Sequence, residues 1–134
     1  MTNSEKKRIL WSYIRIKKQI KAEYDELDEL VTLIKSPNLD GMPSAPNQTD
    51  LSNFVVRKEA ILSRISNNLS RMEAALREIN DALDRMTNEN ERTVLILRYK
   101  KGMTFEKVAE EMDYTWRHIL NIHGNALSHF MEDR

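Results

Sequence analysis

The chain has no cysteine. Disulfides, thiolate metal sites and a cysteine nucleophile are therefore excluded. Glycine and proline are scarce, three of each in 134 residues, and so few breakers point away from a turn-rich β fold and towards long helices. No apolar run approaches the ~18–20 residues of a membrane span, so no membrane association is expected. The start, Met1-Thr2-Asn3-Ser4-Glu5, lacks the apolar core of a signal peptide and reads as cytoplasmic. Net charge is missing too: 21 basic residues balance 21 acidic ones, which argues against a general nucleic-acid sponge.

What is present is organised around one segment. Pro37, Pro43 and Pro46 all fall within residues 36–50, where fixed φ angles and missing N–H groups predict a loop between two helices. Before it, Leu10, Tyr13, Ile20, Tyr24, Leu27, Val31 and Ile34 follow the three-four heptad rhythm, broken once at Lys17. After it, Leu62, Ile65, Leu69, Met72, Leu76, Ile79, Leu83 and Met86 form an unbroken stripe that extends back through Val55 and Leu51. Asp50 or Thr49 suits the N-cap of this second helix. Two such seams bury each other most economically in an antiparallel, coiled-coil-like hairpin; a parallel coiled-coil dimer competes with it.

The pattern changes after Met86. Asn88 followed by Glu91 reads as a capping box. The helix it opens carries Val94, Leu95, Leu97 and Tyr99 and ends at Lys100-Lys101-Gly102, a basic last turn with a C′ glycine. Thr104 caps a helix from Phe105 to Met112, Asp113-Tyr114 makes a turn, and Thr115 caps a last helix to about Met131. Val108 and Ala109 face Ile119 and Ile122, which defines a helix-turn-helix. The expected fold is all-α: a long helical hairpin over residues 1–87, then a three-helix module over 88–134.

The stretch Glu91-Arg92-Thr93-Val94-Leu95-Ile96-Leu97-Arg98-Tyr99, through Gly102 and Thr104 to Val108-Ala109-Glu110-Glu111-Met112, with Ala126-Leu127 near the end, resembles region 4 of bacterial sigma factors. More narrowly, the whole chain resembles small phage proteins of Gram-positive hosts related to the ArpU/RinA late-transcription regulators. Ser36-Pro37-Asn38-Leu39-Asp40-Gly41-Met42-Pro43 and His123-Gly124 before Asn125-Ala126-Leu127 carry that likeness. It implies DNA binding and control of phage or prophage genes. Asp113 stands where this turn often has Gly, Trp116 where a small or charged residue is usual.

Laid out at about 100° per residue, the last helix has an apolar arc that includes Ile119, Ile122, His123, Ala126 and Phe130. Trp116, Leu120 and Leu127 widen it and are expected to be buried, with His123 as a core histidine. The opposite side carries Arg117, His118, Asn121 and Asn125, and no acid occurs between Tyr114 and Met131. The N-terminal part of a recognition helix meets base edges, so Thr115, Trp116, Arg117, His118 and Asn121 are the candidate DNA contacts. Arg117 suits guanine, Asn121 adenine, and His118 a base or a phosphate.

The charges, though balanced, are segregated. Lys6, Lys7, Arg8, Arg15, Lys17, Lys18 and Lys21 form a run without acids, and Glu23, Asp25, Glu26, Asp28 and Glu29 one without bases. Lys100 and Lys101, with Lys17, Lys18 and the rest of the Lys6–Lys21 stretch, are candidate phosphate contacts. Catalysis has no support: His118, His123 and His129 lack ligand spacing, Glu89, Glu91, Glu110 and Glu111 read as cap and surface charge, and no cofactor or metal is implied. The expected partners are double-stranded DNA and a second copy on a two-half-site operator. The alternatives are an RNA polymerase-binding interaction protein and a phage DNA-packaging component.

Overall fold

The computed structural model describes residues 1–35 and 48–132, and in these it is all-α. Two long helices, α1 (Asn3–Lys35) and α2 (Gln48–Asp84), precede α3 (Glu89–Leu95), α4 (Phe105–Met112) and α5 (Trp116–His129). The proline segment 36–47 lies outside the described residues. Thr49 and Asp50 sit in the first turn of α2 rather than at its cap.

The chain forms two compact units: Lys17–Arg71, and Met1–Ile16 together with the chain from Met72 onward. In the first, Asn68 Nδ2 donates to Glu23 Oε1 at 2.6 Å and Arg64 pairs with Glu26 at 3.3 Å. Advancing along α1 retreats along α2, so the pair is antiparallel. Its seam differs from the expected stripe. Glu23 is buried and Tyr24 exposed; Ile61, Ile65 and Asn68 are buried, while Leu51, Val55, Leu62 and Leu69 are exposed. The reason is that α2 carries three apolar positions per heptad, one more than a single seam uses. The seam settles on the row containing Ile61 and Asn68, where Asn68 satisfies one oxygen of Glu23 and accepts from Arg71 at 2.8 Å. A buried polar pair of this kind fixes the register of two helices.

In the other unit Leu10 of α1 packs with Ile79, Ala82, Leu83 and Met86 around α2, and with Leu95, Tyr99, Ala126, Leu127 and Phe130. The expected boundary between residues 87 and 88 therefore falls inside one unit, whose core draws on both sides of it. A second cluster, Val94, Val108, Ala109, Ile119 and Ile122, is the interior of the helix-turn-helix.

The caps follow the residue chemistry. Asn88 accepts from the Glu91 N–H, Thr104 from Lys107 and Thr115 from His118, each satisfying one orphan donor of a first turn. After Leu95 the helix widens into a π-helical turn, Ile96–Lys100, closed by Lys101 N–H to Ile96 O at 3.0 Å. It stops at Gly102, whose φ of +73° suits glycine. Asp113, with φ 61° and ψ 37°, takes the left-handed conformation in the inter-helix turn, which Asp tolerates better than most residues.

Candidate nucleic-acid interface

The helix-turn-helix positions α5 through its buried face. Ile119 and Ile122 enter the cluster with Val108 and Ala109, while Ala126, Leu127 and Phe130 enter the larger core with Leu10. That leaves the opposite face open. Arg117, His118, Asn121 and Asn125 are all exposed. Tyr114, in the turn, sets its ring 4.5 Å from that of His118 and accepts from Asn90 Nδ2 at 3.3 Å through its hydroxyl. His118 is thus braced at the start of α5, a role for Tyr114 and Asn90 that sequence periodicity does not reveal.

Trp116 is 52% exposed, against the expectation of burial. Its position in the first turn, beyond the reach of both clusters, leaves nothing to cover it. Leu127 is buried as expected and Leu120 is half-buried. Thr115 remains at the surface with its hydroxyl engaged as the cap.

The candidate phosphate-binding lysines divide into four groups. Lys101 is exposed. Lys100 is half-buried and donates to Asn80 Oδ1 at 2.8 Å, so its ammonium is held by α2. Lys17 and Lys18 are exposed on α1 within the Lys17–Arg71 unit. Lys6 is a different case. It is 1% exposed, and its Nζ donates to Leu127 O at 2.7 Å, Ser128 O at 3.2 Å and Glu132 Oε1 at 2.6 Å. Three donors meet three acceptors, and two of these are carbonyls of the last turn of α5, which lack helical partners. Lys6 is a cap on the last helix and is withdrawn from any phosphate. The hydrogen bond and charge of Lys6 hold the Glu132 carboxyl below its ordinary range. A signal exists in the sequence, since Lys6 lies four residues before Leu10 on the same helical row.

Behind the exposed face is a polar core. Tyr99 Oη and His123 Nε2 share a hydrogen bond of 2.7 Å, and the Phe105 ring meets His123 edge-on at 4.8 Å. Arg98 lies 4.2 Å from the Phe105 ring and 5.0 Å from that of Trp11 and donates to Met103 O. Burial, with Lys7 and Arg98 nearby, pushes His123 down to about 4, and burial pushes Tyr99 up to about 12 despite Arg98. His123 is therefore the expected core histidine, neutral near pH 7. Because its folded value lies below the ordinary 6.5, the unfolded chain takes up a proton first as pH falls. Stability should then decline between about pH 6.5 and 4, by on the order of 2 kcal/mol. Urea titrations across that window check this; His123→Gln should flatten the decline, and an equal decline in that variant would contradict it.

Glu91 is buried rather than at the surface. It keeps the capping-box position, but its carboxylate bonds His129 Nδ1 at 2.8 and 3.0 Å, tying α3 to the end of α5. Among the described residues, no cluster of three His, Cys, Asp or Glu side chains could hold a metal ion, and no helix is long and apolar enough to cross a membrane.

Two helices joined by a left-handed turn, the second with an open polar face, define a helix-turn-helix module. Residues 82–129 match the family model of Sigma-70, region 4, so the module is of the sigma region 4 type. No curated protein and no solved structure matches the chain.

Proposed function

We propose that the protein is a sequence-specific DNA-binding transcriptional regulator that reads double-stranded DNA with α5. The observation that carries this is the acid-free, exposed row Arg117, His118 and Asn121 at the start of the second helix of a region 4-type module. A guanidinium and a carboxamide there suit bidentate pairing with guanine and adenine, and a basic residue such as Lys101 suits phosphate. The exposed Trp116 adds a flat apolar surface for a sugar or a thymine methyl. The reading is non-enzymatic and places the protein in the cytoplasm of a bacterial cell. The resemblance of the 36–43 segment and of His123-Gly124 to phage late-gene regulators points to phage or prophage genes. The C-terminal module has seven basic and eight acidic residues from Asn88 to Arg134. Its electrostatic attraction to phosphate is weak, so a homo-oligomer on paired half-sites is part of the proposal.

Selection from random duplex oligonucleotides tests it. The wild-type chain should enrich one motif, and Arg117→Ala should relax one base position by about 1–3 kcal/mol while leaving the salt dependence little changed. An identical motif from the variant would remove α5 as the reader.

Exposed Trp116 also favours a second reading, in which the module docks on RNA polymerase without reading DNA. Binding to random DNA alone, weakening with salt, supports the first reading; binding to polymerase but not to DNA supports the second.

A further inference from the structure

Gly102 and Gly124 differ in what requires them. Gly102 has a positive φ, which explains a glycine from within the fold. Gly124 has no such reason. It lies inside α5 without a positive φ. Beyond its chain neighbours and the backbone of its own helix, nothing described lies within 4 Å of where its Cβ would stand. Glycine is nonetheless the poorest helix former after proline. At mid-helix it costs stability that alanine would restore without touching anything. The remaining use of a bare backbone is a close approach from outside the chain.

The row that Gly124 belongs to says what approaches. Arg117, Asn121 and Gly124 follow one another at steps of four and three residues, so they share one face of α5. All three are exposed, and the row points away from Ile119, Ile122 and Ala126, which are buried. The other neighbours of Gly124 on this face, Leu120, Asn125 and Ser128, are uncharged. Ser128 folds its hydroxyl back on the Gly124 carbonyl at 3.1 Å, so it adds little height to the row. No acid occurs between Tyr114 and Met131 to repel a phosphate chain. From Arg117 to Gly124 the side chains shorten from a guanidinium to a carboxamide to none.

That order matters in a groove. The major groove is about 12 Å wide, and a helix with its side chains is about 10–12 Å across, so the fit leaves little to spare. An arginine reaches a base edge even from a helix held off the groove floor. An asparagine is too short to do so. For the Asn121 carboxamide to pair with adenine, the backbone at its turn must sit deep. A side chain at the next turn of the same row would meet the DNA first and hold the helix off. We infer that Gly124 is a positioning residue for Asn121: its bare backbone lets α5 sink far enough for that carboxamide to read adenine. The inference rests on the DNA-binding reading and deepens it, since it adds a residue that sets specificity without a side chain of its own.

Selection from random duplex oligonucleotides, run beside thermal unfolding, tests it with Gly124→Ala and Gly124→Leu. Both variants should melt about 2–5 °C above the wild type, because both residues favour helix and both face open space. The Gly124→Leu variant should bind the wild-type motif about tenfold more weakly or worse, with Gly124→Ala in between. Gly124→Leu should relax the same base position that Asn121→Ala relaxes and keep the position read by Arg117. Its salt dependence should be unaltered, since no charge changes. A Gly124→Leu variant that keeps the motif and binds it as tightly as the wild type overturns the inference. So does one that relaxes every position alike, and so does one that melts below the wild type, which would place the reason for glycine inside the fold. Loss of polymerase binding with the DNA motif intact also overturns it and assigns the position to the polymerase-docking reading. If the wild-type chain selects no motif, the regulator reading falls and this inference with it. If the wild type selects a motif and Gly124→Leu selects the same one, only this inference falls.

Discussion

Lys6→Met should lower the stability of the protein by about 2–4 kcal/mol, whereas Lys7→Met, one residue away and equal in charge, should change it little. Lys7 is exposed. Lys6 is buried, with its ammonium on two carbonyls of α5 and on Glu132. Methionine fills similar volume but leaves the Leu127 and Ser128 carbonyls without that donor. The positive charge that complements the negative end of the α5 dipole is lost as well. The unfolding midpoint in urea should drop with an unchanged slope. Since Lys6 holds the carbonyl end of α5 rather than its reading end, the selected DNA motif should stay the same at a temperature where the variant is folded. Equal midpoints for the two variants would show that the buried ammonium contributes nothing.

The second large effect is expected at Phe130, immediately after α5. Its side chain is fully buried in the core that joins Leu10, Leu83 and Tyr99, and its N–H closes the helix on Ala126 O at 2.9 Å. Phe130→Ala removes the side chain and leaves a cavity, a loss of about 3–5 kcal/mol. For a chain of this length that is a fall in melting temperature of about 10 °C or more. Trp116→Ala makes the contrast. It removes a larger aromatic at the other end of α5, but from an exposed position, and should cost no more than about 1 kcal/mol. Calorimetry of the two variants separates them. A Trp116→Ala protein as unstable as Phe130→Ala would mean that Trp116 is covered in solution.

The helix starts of the C-terminal module and its motif were legible because they rest on local chemistry, unlike the start of α2, where Thr49 and Asp50 lie inside the helix. Asn88, Thr104 and Thr115 cap through their own side chains, Gly102 takes a positive φ, and Asp113 tolerates the turn. Val108, Ala109, Ile119 and Ile122 face inward because two helices joined by a short turn leave them little choice. The antiparallel pairing was legible too, but not its seam. On α2 the rows through Leu62 and through Ile61 are both apolar enough to be buried, and periodicity alone cannot rank them. The choice turns on Glu23, Asn68 and Arg71, polar residues whose value inside a seam appears only when they meet. Lys6 was hidden for a related reason. A lysine in a basic run reads as solvated surface unless its acceptors, more than 120 residues further on, are known. The widening at Ile96–Lys100 has no marker in residue type.

That widening has a consequence for how the chain tolerates changes in length. A π-helical turn is a regular helix that accommodates one surplus residue. Deleting one residue between Leu95 and Tyr99 would let the helix run on with ordinary hydrogen bonds, so the backbone itself would lose nothing. The part before the deletion would keep its register, and everything after it would rotate by about 100° relative to that part. The Tyr99 hydroxyl would then swing away from His123, and Arg98 from its place between Trp11 and Phe105. The surplus residue is therefore what sets the phase between the start of α3 and the helix-turn-helix, and losing it would break the module's polar core while leaving its helical content intact.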